Sequence, residues 1–201
     1  GTWSAPVTGS LASANDIVSV GEKIVIASGS PQTARVSSDY GASWVQGQSF
    51  SSPTATFGSI RLATDGARVV IMYNESQTFI SRIKYSDDFG ATWSSSVFSF
   101  PLPGSSNLAS ELIYDGEYWF AFNQTGRVAR SLDGVEWFIL AAVIGPVQQV
   151  AAGNGMLMAA CGASGIYFSE DHGVTWQQRA MPPGFTEATG IAWINPERGA
   201  S

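Results

Sequence analysis

Among the acids outside the chain's repeated motif are Glu75, Glu111, Glu117 and Glu187, and two carboxylates flanking a glycosidic bond are what its hydrolysis requires. Their ordinary reading is as solvated strand ends or loop acids. Glu111 lies on the apolar-rich run from Leu108 to Tyr114, so it is the acid whose burial would raise its pKa. His172 is the only histidine and Cys161 the only cysteine, a supply too small for a zinc site or a Cys–His dyad. His172 is expected to face solvent and Cys161 to be a buried free thiol. No Gly-x-Ser-x-Gly elbow is present, and Gly162-Ala163-Ser164-Gly165 reads as a hairpin loop. No glycine-rich phosphate loop precedes a helix, so neither a metal nor a cofactor is expected. For binding, Tyr118, Trp119, Phe120 and Phe122 form an aromatic strand whose alternation sends Trp119 to the face opposite Tyr118 and Phe120. Core packing is the plainer role for it; a sugar-stacking platform on Trp119 is the sharper one. The stretch from Ser94 to Asn107, with Phe98, Phe100 and Leu102, is expected to project as a contact loop or to pack on a neighbouring domain.

The elements that must hold these side chains are set by an internal repeat. Ser37-Ser38-Asp39-Tyr40-Gly41-Ala42-Ser43-Trp44 returns as Ser86-Asp87-Asp88-Phe89-Gly90-Ala91-Thr92-Trp93 and as Ser169-Glu170-Asp171-His172-Gly173-Val174-Thr175-Trp176. A shortened copy, Ser131-Leu132-Asp133-Gly134-Val135-Glu136-Trp137, lacks one residue and carries Glu136 where the others have Ser or Thr. The pattern makes sense as a hairpin turn. A short Asp side chain accepts backbone N–H groups, Gly adopts positive φ without steric cost, and the closing Trp re-enters a strand with a large ring to bury. Because each copy serves its own repeat, Asp39, Asp88, Asp133 and Asp171 are expected to stabilise turns rather than to catalyse.

Two apolar runs joined by a tight turn precede every copy: Ile17 to Val20 then Ile24 to Ala27, Ile60 to Ala63 then Val69 to Tyr73, Leu112 to Tyr114 then Tyr118 to Phe122, and Val147 to Ala151 then Met156 to Cys161. Asp65-Gly66, Asp115-Gly116 and Asn154-Gly155 between them are strong hairpin signals. A third run leads into the octapeptide, through Ala34 to Ser37, Ile80 to Ser86, Arg127 to Ser131 and Gly165 to Ser169, and a fourth strand is expected to begin at its Trp. Each unit thus supplies four antiparallel strands. No helix longer than a turn or two is expected, and Pro101-Leu102-Pro103-Gly104 and Pro182-Pro183-Gly184 mark loops.

The octapeptides match the Asp-box, Ser-x-Asp-x-Gly-x-Thr-Trp, and the chain resembles the Asp-box, or BNR-type, propeller proteins, which include sialidases, sortilin-type receptors, photosystem assembly factors and phage tail proteins. Ser37, Asp39, Gly41, Trp44, Ser86, Asp88, Gly90, Trp93, Ser131, Asp133, Gly134, Trp137, Ser169, Asp171, Gly173 and Trp176 are the residues that carry the resemblance. It implies an all-β fold, a β-propeller of four-stranded antiparallel blades forming one domain over 1–201. Blades are expected at roughly 10–50, 54–100, 106–141 and 145–181, with a composite fifth made from 1–9 and 185–201. Trp3 to Val7 would be its fourth strand and Thr189 to Asn195 its first. An open arc of a larger ring with six to eight blades is the rival architecture. The start at Gly1-Thr2-Trp3, without Met, is expected of a piece of a longer protein or assembly.

Sialidase chemistry would need an arginine cluster, a Tyr–Glu nucleophile pair and an acid/base. The family's Arg-Ile-Pro signature is absent, Arg61 being followed by Leu62-Ala63, and no catalytic residue is assigned. A photosystem-type assembly factor would need a concentrated arginine patch, whereas the arginines here are scattered. The reading that remains is a non-catalytic recognition or assembly module with a glycan or protein ligand, in a phage tail or another extracellular adhesin. Its candidate binding residues are Trp119, Glu111, Phe98 and Phe100, and a glycoside hydrolase fragment is the alternative. With 44% hydrophobic and 12% aromatic residues the chain can build a core, and its net charge of -6 opposes binding to nucleic acid or anionic membranes. No apolar stretch reaches the roughly 18 residues of a spanning helix, so no membrane insertion is expected, and the location expected is extracellular or on a virion surface.

Overall fold

Strands alternating with tight turns make up the computed structural model, which describes residues 14–29, 32–51, 57–75, 80–99, 109–153 and 155–193. Sixteen strands form four antiparallel sheets of four, each a simple up-and-down meander. The first holds β1 (Asp16–Val20), β2 (Lys23–Gly29), β3 (Gln32–Ser37) and β4 (Val45–Ser49). The second holds β5 (Phe57–Thr64), β6 (Val69–Glu75), β7 (Ile80–Ser86) and β8 (Ser94–Ser99). In the third are β9 (Ala109–Tyr114), β10 (Trp119–Asn123), β11 (Arg127–Ser131) and β12 (Phe138–Val143). The fourth has β13 (Gln149–Gly153), β14 (Met156–Ala160), β15 (Ile166–Ser169) and β16 (Gln177–Arg179). These sheets are propeller blades, and no described residue is helical.

The second strand of each blade explains the layering. β6 is Val-Val-Ile-Met-Tyr-Asn-Glu with six buried positions in a row, and β10 is buried at all five. Strands buried on both faces read as continuous apolar runs. The outermost strands are the opposite: β4 and β16 have no buried residue. The chain divides into two compact units, 1–108 and 109–201, each containing two blades. In the first, Val25, Ala27 and Ala34 of one blade pack with Ile60, Leu62, Val69 and Ile71 of the next around Phe50. In the second, Phe120, Phe122 and Val128 meet Val150, Leu157, Ala159 and Cys161. Burying each of the larger side chains contributes roughly 1.5–3 kcal/mol.

Several expectations need correction. The fourth strands start one residue after the Trp, at Val45, Ser94, Phe138 and Gln177, because the Trp still belongs to the turn. Ser94 to Ser99 is not a projecting loop but β8, paired with β7; 100–108 lie outside the described residues. At the C-terminal end, 189–193 form no strand. Ala188 makes one antiparallel bridge with Gly162, the Ile191 amide donates to the Gln149 side chain at 3.0 Å, and Trp193 lies against Gly153. Residues 1–13 and 194–201, the rest of the expected composite blade, lie outside the described residues.

Candidate functional site

The octapeptides form one turn, made three times over. In the first blade Ser37 Oγ donates to Asp39 Oδ1 at 2.7 Å and accepts the Gly41 amide at 2.7 Å. The Asp39 carboxylate then takes the Ser43 amide at 2.8 Å and the Ser43 hydroxyl at 2.6 Å. Ser86, Asp88, Gly90 and Thr92 repeat these contacts, as do Ser169, Asp171, Gly173 and Thr175. Two successive positive φ angles close the loop, at Tyr40 and Gly41, Phe89 and Gly90, and His172 and Gly173. The shortened copy omits the first of that pair. There Gly134 alone has positive φ, and Asp133 accepts the Val135 and Glu136 amides, both at 2.9 Å, in place of an amide and a hydroxyl.

These bonds set the charge of the turns. The Ser43 hydroxyl, then the Ser43 amide and Ser37, hold the Asp39 carboxyl down at about 2. For Asp88, Asp133 and Asp171 partial burial is the largest single influence and works upward. The combined hydrogen bonds outweigh it, led by the Thr92 hydroxyl, the Glu136 amide and the Thr175 hydroxyl respectively, and keep all three below the ordinary carboxylate value. Such groups are fixed anions and poor proton donors near neutral pH.

Two of the full turns, those of Phe89 and His172, also reach the preceding blade through the side chain at the fourth position. In the first unit Lys23, on the β1–β2 hairpin, places its Nζ 3.8 Å from the centroid of Phe89, and the Gln48 amide of β4 donates to the Ala91 carbonyl at 2.8 Å. Gly47 sits so close to the Gly90 carbonyl that a Cβ there would collide with it. Around this joint opens a recess of about 270 Å³, lined by Lys23, Ser38, Val45, Gln46, Asp88 and Phe89 with Val36, Ser43, Gly47 and Ala91. It offers an ammonium group seated on a half-buried aromatic ring, a carboxylate and a polar rim, a combination suited to holding a ligand in orientation.

The second unit has the equivalent joint with different chemistry. His172 Nδ1 lies 2.7 Å from Asp115 Oδ2, whose side chain is 0% exposed, and Nε2 lies 3.6 Å from Glu117. Its ring packs on Tyr118 at 5.0 Å, while Arg130 lies 4.4 Å over Tyr118 and donates to the His172 carbonyl at 3.1 Å. His172 is therefore docked on the β9–β10 hairpin rather than turned to solvent, and its imidazole is oriented by a buried carboxylate.

The other candidates separate. Trp119 is 1% exposed and packs against Tyr114 at 4.9 Å, so its face is closed to a sugar. Glu111 is half-buried on β9, opposite Phe122 of β10. Phe98 falls in β8 of the first unit, and Phe100 lies outside the described residues. Cys161 is a buried free thiol, pushed up to about 11 by that burial. Among the described arginines, Arg68 pairs with Asp87, Arg82 with Glu75, and Arg179 covers Phe168. The groove residues were missed at the sequence level. Their signal was the variable fourth position of the octapeptide, which supplies Phe89 and His172 to the two joints.

No protein-family model matches the chain, and no curated protein matches it. Solved structures do. A GH74 enzyme from Niastella koreensis superposes with a TM-score of 0.63 at 22% identity, covering 90% of this chain and 26% of that one. YCF48 bound to D1 peptide gives 0.59 at 16% identity over 82% of this chain and 53% of that one. The computationally designed Ika8 protein gives 0.61 at 12% identity over 86% and 49%. The chain thus spans about a quarter to a half of these structures' lengths. At such identities the likeness is one of fold, the β-propeller.

Proposed function

We propose that the chain is a non-catalytic recognition or assembly module of the Asp-box type, which takes a glycan or protein ligand in the groove between successive blades. The observation that carries this is the recess at Lys23 and Phe89: an aromatic face under an ammonium group, with Gln46, Ser38 and Ser43 on its rim. Low-pKa turn carboxylates that already serve as hydrogen-bond acceptors support binding over acid catalysis. A peptide ligand has a parallel in the solved complex of YCF48 with D1 peptide, and a protein partner in that of nidogen with laminin. The turn geometry and the acidic, lysine-poor composition suit an extracellular setting such as a phage tail or other adhesin, as one part of a larger protein.

The test is a glycan array and an immobilised peptide library probed with the wild-type chain and with a Lys23→Ala, Phe89→Ser double variant. Binding that falls about tenfold or more in the double variant is the expected result. Turnover of a fluorogenic glycoside by the wild-type chain, abolished by Glu111→Gln, would replace this reading with that of a glycoside hydrolase fragment.

A further inference from the structure

The four outermost strands occupy one structural position, yet one of them breaks with the rest in composition. β4 is Val-Gln-Gly-Gln-Ser, β8 is Ser-Ser-Ser-Val-Phe-Ser and β16 is Gln-Gln-Arg, whereas β12 is Phe-Ile-Leu-Ala-Ala-Val. β12 ends its sheet, in the order β12-β11-β10-β9. Phe138 is 67% exposed and Ile139 37%, with Leu132 of the shortened turn at 68% and Val174 of the next turn at 48%. An edge strand presents a row of backbone donors and acceptors ready to pair, and proteins ordinarily blunt it with charge or proline. β12 contains neither, and its bulge lies past Ile139.

Aligning the octapeptides shows what surrounds it. The positions that line the recess in the first unit as Ser38, Ser43, Val45, Asp88 and Ala91 are Leu132, Glu136, Phe138, Asp171 and Val174 in the second. The same joint has become apolar at its centre while keeping carboxylates at its margin. Phe138 pairs with Arg130 and so shares the face on which Arg130 meets the His172 turn. The register shift between Arg127 and Ala129 confines regular β11–β12 pairing to Phe138 and Ile139, so that end is where an added strand would pair.

The geometry points to β12 as a strand-docking edge for an extended segment of another protein, one in which apolar residues alternate with lysine or arginine. Main-chain pairing along the edge would give affinity, and the alternate side chains would seat on Leu132, Phe138 and Val174. The exposed carboxylate of Glu136, with Asp133 and Asp171 beside it, selects the basic partner, while Arg130 on the Phe138 face is held against Tyr118 and the His172 carbonyl. This surface lies on the second unit and is separate from the Lys23–Phe89 recess.

Fluorescence anisotropy with a labelled peptide of about ten alternating valines and lysines, against a valine–glutamate peptide of equal length, tests the assignment. The lysine peptide should bind the wild-type chain and the glutamate peptide should not. A Leu132→Ser, Phe138→Ser double variant keeps every charge and should weaken binding about tenfold or more. Glu136→Lys, an exposed change, should narrow the preference for the lysine peptide, Asp133 and Asp171 remaining. Equal binding of both peptides, or unchanged affinity in the serine variant, would overturn the proposal. So would wild-type dimers in sedimentation equilibrium that the serine variant abolishes, because the edge would then belong to a second copy.

Discussion

Ser169 is 1% exposed, and its hydroxyl serves three partners: it donates to Asp171 at 2.8 Å and accepts the Gly173 amide at 2.9 Å and the Asp171 amide at 3.4 Å. Removing it strands a buried N–H, so Ser169→Ala should destabilise the fold by about 1–3 kcal/mol in urea unfolding. A midpoint equal to wild type would show that the turn does not depend on it. The aspartates give a pH signature. Their folded pKa values lie below the unfolded value near 3.9, so their contribution is present above about pH 4 and lost as pH falls toward about 2, the value at Asp39. Urea midpoints should be flat from pH 7 to about 5 and then drop, with Asp39→Asn shallower than wild type. Cys161 makes the opposite prediction for a titrating group. Buried and raised to about 11, it should resist alkylation near pH 8 in the native chain and react on unfolding.

Successive blades of a unit are joined through backbone as much as through side chains. Gly47 has no positive φ, but a Cβ there would run into the Gly90 carbonyl; Gly21 has φ +60 with open space around it. Gly47→Ala should therefore cost well over 2 kcal/mol by forcing β4 off the next turn, and Gly21→Ala only about 1–2 kcal/mol of backbone strain. Equal thermal stability of the two variants would refute this account of the joint. At this scale the sequence was most readable, because turn chemistry and apolar runs are local. All four turns and the four-strand content of each blade follow from the octapeptides and from pairs such as Asp115-Gly116. Long-range partners were not legible. His172 looks like a solvent-facing variable residue until Asp115, 57 residues away, closes on it. Trp119 looks like a platform because its alternation is visible while the Tyr114 ring covering it is not. The segment 189–193 has a strand-like pattern, but only Ala188 pairs there, through Gly162.

For the molecule as a whole, sequence repetition and chemical difference come from the same design. The turns repeat because each must lock an equivalent bend, and the side chains that those turns hand to the preceding blade are free to differ, as Phe89 and His172 do. A single fold thus carries a recess rimmed by a cation and a carboxylate in its first unit and an apolar edge in its second, on a chain of net charge -6. Binding in the recess is the central claim, and hydrogen–deuterium exchange of the wild-type chain with and without a ligand selected from the glycan and peptide panels tests it most directly. The account predicts added protection concentrated in 36–47 and 86–92, absent in the Lys23→Ala, Phe89→Ser variant. Protection confined to other segments, with those two unchanged, would contradict it.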